Sequence, residues 1–173
     1  MLREYCLKEL MMTENVRIRI TECSTELDEI ERIIEGLSPL DKSKQYLTKY
    51  ALIKASGTLE SAYHHIVADF LEKFKIPQFN YYISNNVRRN SLSVKYSNMT
   101  KFLGQFDANW EKTFKDRVSA KPGKDKLINS AESLVDNRHA FAHGASTTVS
   151  FGDVKNYYYD TLELIKEFDD SVV

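Results

Sequence analysis

Apolar residues recur along "TENVRIRITECSTELDEIERIIEGL" at Val16, Ile20, Cys23, Leu27, Ile30, Ile34 and Leu37, in alternating steps of four and three. With 3.6 residues per turn, that spacing lays a single apolar stripe along a long amphipathic helix. Gly36 and Pro39 close it. A second long helical pattern runs from about Asp41 to Phe74, through Leu47, Leu52, Ala55, Leu59, Ala62, Ile66, Phe70 and Leu71. Gly57 inside it suggests a kink or a close helix crossing, and Pro77 ends the segment.

The pattern then breaks up. From "NYYISNNVRRN" onward the pieces are shorter, and Leu103, Phe106, Trp110 and Phe114 suit one or two short helices. Pro122 and Gly123 in "SAKPGKD" favour a turn. A helix restarts in "DKLINSAESLVDNRHAFAH", with Leu127, Ala131, Leu134, Val135 and Ala142 as its apolar row and Gly144 placed for a C-terminal cap. Ser150 and Asp153 are spaced as a capping box for a last helix carrying Val154, Tyr158, Thr161, Leu162 and Ile165 on one side. These elements predict an all-α bundle of about five main helices with an irregular middle region, in which residues 75–126 are the least defined by pattern. Residues 1–173 read as a single domain, without repeat, low-complexity tract or linker.

Composition narrows the function classes. Hydrophobic residues are 42% and charged residues 28% of the 173, an ordinary globular balance. No window approaches a membrane span, and the charged start "MLREYCLKEL" does not resemble a signal peptide, so the expected location is the cytoplasm. Cys6 and Cys23 have no CxxC spacing and read as core thiols rather than a disulfide or a zinc knuckle. With 24 Lys and Arg against 25 Asp and Glu, the chain has no overall attraction for polyanions, and any RNA must meet a local patch. The candidates for that patch are Lys112, Lys115, Arg117, Lys121, Lys124 and Lys126, which lead into the penultimate helix. Arg88 and Arg89, with Tyr81 and Tyr82 close by, are a second candidate. Phosphate contacts beside aromatic rings are what single-stranded RNA requires, while a solvated surface is the plainer reading of either run.

The stretch "NRHAFAHG", residues 137–144, is not explained by core formation. Arg138 falls in the apolar row of its helix, so its guanidinium is partly desolvated and needs an anion, either a carboxylate of the fold such as Glu60 or a phosphate. The plainer reading of Glu60 is an exposed helix carboxylate. His143 lies about 140° around an ideal helix from Arg138, so the two do not point the same way unless the last turn loosens near Gly144 or a second surface completes the site. A histidine at a helix C-terminus can also be only a cap. Asp136, His139 and His143, spaced i, i+3, i+7, could share a face and hold a metal with His64 or His65 in support, although Ala140 stands where the zincin motif puts Glu.

The helix order and the segment "RHAFAH", Arg138 to His143 followed by Gly144 and a final amphipathic helix, resemble the HEPN superfamily (higher eukaryotes and prokaryotes nucleotide-binding), most closely its RiboL-PSP type. The resemblance implies a homodimer whose motif helices meet, and a metal-independent endoribonuclease without cofactor. Arg138 and His143 would be catalytic, and His139, Asn137 and Glu60 supporting. Lys121, Lys124, Lys126, Arg88 and Arg89 would contact RNA. It also implies a toxin or defence effector with a neutralising antitoxin or paired defence protein. The other outcome is a HEPN-like module that binds nucleotide, RNA or protein without cutting. One departure from a minimal HEPN unit is the long middle region "KIPQFNYYISNNVRRNSLSVKYSNM".

Overall fold

The computed structural model describes residues 12–145 and 148–173, and Cys6 lies outside them. Among the described residues all regular structure is helical. Helix α1 spans Glu14–Gly36 and α2 Ser43–Glu72. A short α3 (Pro77–Tyr82) runs directly into a π-helical turn (Ile83–Val87). Then come α4 (Tyr96–Gly104), α5 (Ala108–Ala120), α6 (Lys124–Ala142) and α7 (Phe151–Asp169).

The predicted stripes are buried along most of their length. Ala142, placed in the apolar row of the penultimate helix, is exposed because that helix runs out toward solvent at its end, and Ile34, Leu37, Leu47 and Leu127 are half-buried. Val16, Ile20, Cys23, Leu27 and Ile30 of α1 face Leu52, Ala55, Leu59 and Ala62 of α2, and Ala131, Leu134 and Val135 of α6 join Val154, Tyr158, Leu162 and Ile165 of α7 in the same core. Helix α2 packs against α1, α6 and α7, so it is the central helix of the bundle. Burying each aliphatic side chain contributes roughly 1.5–3 kcal/mol, and this stripe, rather than intrinsic helix propensity, stabilises the helices. Gly57 lies within an uninterrupted α2, and nothing comes within 4 Å of where its Cβ would stand. It marks neither a kink nor a close crossing, because Gly57 itself lies on the exposed side of its turn while Ser56 and Leu59 take the buried side.

Polar ties fix how the helices seat. Tyr158 is fully buried and donates to the Ile20 carbonyl at 3.0 Å. Lys155, also buried, pairs with Asp28 at 2.6 Å and with Glu31, joining α7 to α1. Tyr63 on α2 donates to the Leu92 carbonyl at 2.6 Å and so anchors the irregular segment before α4. Trp110 on α5 donates to the Val173 carbonyl at 2.9 Å. The capping box is formed: Ser150 Oγ accepts from Asp153 N, while the Asp153 carboxylate accepts from Ser150 N.

Candidate functional site

Arg138 sits four turns into α6, on the edge of its buried face. Its Nη1 donates to Glu60 Oε2 at 3.1 Å, while about a third of the Arg138 side chain stays exposed. Glu60 is therefore not a free surface carboxylate. It is 17% exposed, and burial raises its carboxyl from the ordinary range while the Arg138 cation pulls it back. The pair ties α2 to the motif through its arginine, and the guanidinium remains partly exposed to solvent.

His143 is the residue at which α6 ends. Its N–H still donates to the His139 carbonyl at 3.0 Å, so its amide remains on the helical path. The left-handed turn comes one residue later, where Gly144 takes φ +78°. Ala145 N donates to the Ala140 carbonyl and Gly144 N to the Phe141 carbonyl, the paired bonds of a Schellman cap. A glycine is needed here because a side chain at this φ would clash with its own backbone. His143 leaves helical geometry only at its own dihedrals (φ −91°, ψ 12°), after its N–H has been placed on the helical path, so helix geometry sets its Cβ roughly 140° around the axis from that of Arg138. His143 and His139 are both exposed.

The other motif residues are partly engaged. Asn137 Nδ2 donates to the Ser133 carbonyl at 2.8 Å, back along its own helix. Asp136 accepts from Lys95 at 2.6 Å, and Lys95 also pairs with Glu132 at 3.0 Å. Lys49 of α2 places its Nζ 5.0 Å from the centre of the Phe141 ring. Lys49 also lines a cleft of about 720 Å³ with Lys44, Thr48, Ser150 and Phe151, beside the segment that follows the motif. Lys49 and Lys95 were not singled out by sequence reasoning. The signal for Lys95 is the i, i+4 pair Glu132 and Asp136, two carboxylates on one helix face that call for a cation.

No group of three metal-ligating side chains is assembled among the described residues. Asp136 is held by Lys95. His64 is buried between Tyr63 and Phe102, neutral because burial pushes it down to about 4, and His65 Nδ1 is bonded to the Ser61 carbonyl at 2.8 Å. Neither histidine joins Asp136, His139 and His143, because α2 turns them toward its own core and backbone.

The basic residues divide. Lys121 pairs with Glu167 at 2.7 Å and Glu163 at 3.3 Å, Lys126 with Asp160 at 2.8 Å, and Arg117 with Glu167 and Asp170. Lys124 is exposed at the start of α6, roughly 20 Å along the helix from Arg138 at 1.5 Å per residue. Arg88 reaches Asp69 and Glu72 at 2.6 Å each, while Arg89 is exposed.

The model of the RiboL-PSP-HEPN family matches residues 19–173. This chain belongs to the RiboL-PSP-HEPN family. The matched stretch runs from α1 through the motif helix to the end of α7, so the HEPN assignment covers the central α2, the Glu60–Arg138 contact and the long middle region alike. No curated protein and no solved structure matches the chain. No helix of the described HEPN residues is long and apolar enough to cross a membrane.

Proposed function

We propose that this HEPN protein is a homodimeric, metal-independent endoribonuclease acting as a toxin or defence effector. The observation that carries the proposal is the geometry of one helix end. Arg138, partly exposed, is braced by Glu60, and His143 is exposed five residues on but set about 140° around the helix axis. A two-fold axis at this helix end would bring Arg138 of one chain to His143 of the other, and the angle that separates them within a chain then serves the assembly.

The chemistry follows from the groups. RNA supplies its nucleophile as the 2′-hydroxyl. His143 takes the 2′ proton as general base, or donates one to the departing 5′-oxygen as general acid. The 2′-oxygen forms a bond to phosphorus as the P–O5′ bond breaks, giving a 2′,3′-cyclic phosphate and a 5′-hydroxyl. Arg138 neutralises the phosphoryl oxygens as charge builds, and Glu60 holds the guanidinium in place. His139 and the free N–H of Asn137 orient the phosphate. Lys124 and Arg89 are the open cations among the proposed RNA contacts, whereas Lys121, Lys126 and Arg88 would have to exchange carboxylate partners for phosphate. A neutralising antitoxin or paired defence protein is part of the same proposal.

The test is cleavage of RNA in EDTA by the unsubstituted chain, Arg138→Ala and His143→Ala. Metal-free cutting abolished by either substitution supports the enzyme. Absence of cutting, or cutting that survives either change, favours a binding module instead, and activity lost in EDTA points to a metal site.

A further inference from the structure

We propose that the surface built by the end of α2, α3 and the π-helical turn is a second RNA-binding site, a stacking platform for single-stranded RNA remote from the motif. The inference rests on the reading of this protein as one that engages RNA, and it adds where the strand is held outside the cutting site.

The first observation is charge. Between Lys73 and Phe106 the chain carries Lys73, Lys75, Arg88, Arg89, Lys95 and Lys101 and not one Asp or Glu, while all 25 carboxylate side chains lie elsewhere. The near-neutral total therefore hides a segregated cationic segment. Arg88 and Lys95 are spent on ion pairs that fasten the segment to α2 and α6. Lys75 and Arg89 are exposed and form no ion pair among the described residues, while Lys73, also exposed, lies over the Phe70 ring and faces the half-buried Asp169 carboxyl. The acids that flank the segment in sequence are engaged: Glu72 holds Arg88 together with Asp69, and Asp107, which lines the adjacent cleft, caps α5 by accepting from Asn109 N and Trp110 N.

The second observation is aromatic exposure on the same segment. Phe74, Phe79, Tyr81 and Tyr82 are 63%, 57%, 77% and 56% exposed. Four large exposed rings within nine residues are a concentration of apolar surface in water, and three of them, Phe74, Phe79 and Tyr82, line one cleft. The patch is not loose. Ile83 and Val87 are buried, Tyr63 anchors Leu92, and the Arg88 pairs lock the π-turn onto α2. A π-turn is costly and is retained most often where it shapes a site. Beside these rings a cleft of about 430 Å³ opens between Phe70, Phe74, Phe79, Tyr82, Phe106 and Trp110.

Exposed rings on an anchored segment that also carries the free cations Lys75 and Arg89 match a strand of unpaired bases with a phosphate backbone, since bases stack on any aromatic face and phosphates follow the cations. A purely apolar partner would gain nothing from the absence of carboxylates over 34 residues. Glu72, at the end of α2, lies twelve residues and roughly 18 Å along the helix from Glu60. Only an RNA of several nucleotides can reach both places.

The test uses the full chain carrying His143→Ala, so that RNA is bound without being cut. Fluorescence anisotropy is measured in EDTA with a labelled single-stranded oligouridylate of about 15 nucleotides and with one of about 4, the range of known single-strand site sizes. Tyr81→Ala/Tyr82→Ala is expected to weaken the long oligonucleotide about tenfold or more and the short one much less. Lys75→Ala/Arg89→Ala is expected to weaken it and to flatten the salt dependence by roughly 1.4 in slope, about 0.7 per lost contact. All four residues are exposed, and circular dichroism checks the fold. Unchanged affinity in both variants, or no binding by the parent, overturns the platform. So does a tyrosine variant that changes the sedimenting mass without changing RNA affinity, because the surface is then a protein interface. Binding through the platform by a native chain that never cuts sinks the ribonuclease reading alone, whereas a native chain that cuts, beside a tyrosine variant in the His143→Ala background that binds with unchanged affinity, sinks the platform alone.

Discussion

Glu60 and Arg138 set the chemistry of the motif at the level of single residues. The guanidinium lies at the border of the core, where an unpaired cation is unfavourable, and the carboxylate on α2 both compensates it and fixes its rotamer. Glu60→Ala is expected to slow cleavage about tenfold by letting Arg138 wander, with Glu60→Gln recovering most of the loss through its remaining hydrogen bond. A recovery no better than Ala in single-turnover assays would remove the bracing role. The need for an anion at Arg138 was legible from the row 127, 131, 134, 138, with Glu60 as one candidate beside a phosphate; the choice fell to packing, because the partner is 78 residues away and only the fold brings α2 alongside. Asp169, at the end of α7, makes a separate prediction. Burial and the neighbouring Asp170 push its carboxyl up to about 6, and its Oδ2 has no hydrogen-bond partner. The folded chain then holds this proton more tightly than the unfolded chain, so stability falls as pH rises from about 4 through about 6 and stays lower above. Asp169→Asn should raise the melting temperature by a few degrees at pH 7.5 and have little effect near pH 3.5. An equal effect at both would contradict it.

The helices depend on a few turn positions. Gly144 is required by its left-handed φ, whereas Gly57 sits in a regular, open helical turn. Gly144→Ala is expected to lose about 1 kcal/mol and disturb the end of α6, and Gly57→Ala to gain about 0.5–1 kcal/mol. Urea denaturation of both variants checks the opposite signs, and a shared sign would refute the assignment. The caps at Gly144 and Ser150 were readable because each is written in adjacent residues. Gly57 was misread because a glycine inside a helix signals close packing only when something approaches it. The middle region was hard to read for a related reason. Its helices are short, and the π-turn has no periodicity of its own, being held by Tyr63 and Arg88 contacts to distant parts of the chain.

At the scale of the molecule, the bundle places two features apart: the braced arginine and exposed histidine at the end of α6, and the aromatic, cation-rich surface beyond the end of α2. The family relationship accounts for the helical frame and for the position of the motif within it. The proposed enzyme needs a second copy, because the Schellman cap begins only after His143 N has joined the helix, where helix geometry sets Arg138 and His143 about 140° apart within one chain. The sequence spacing already contained this angle, but whether the last turn would relax it depended on where the cap begins, which only the hydrogen bonds decide. The most direct test is complementation between two inactive variants. Arg138→Ala and His143→Ala chains are purified separately, mixed through mild denaturation, and assayed on RNA in EDTA against the native chain. Mixed dimers would hold one intact Arg138–His143 pair across the axis, and cleavage should return to roughly a quarter of native activity, since about half the dimers are mixed and each has one whole site of two. A native chain that cuts, beside a mixture as silent as its two components, would contradict a site shared between subunits.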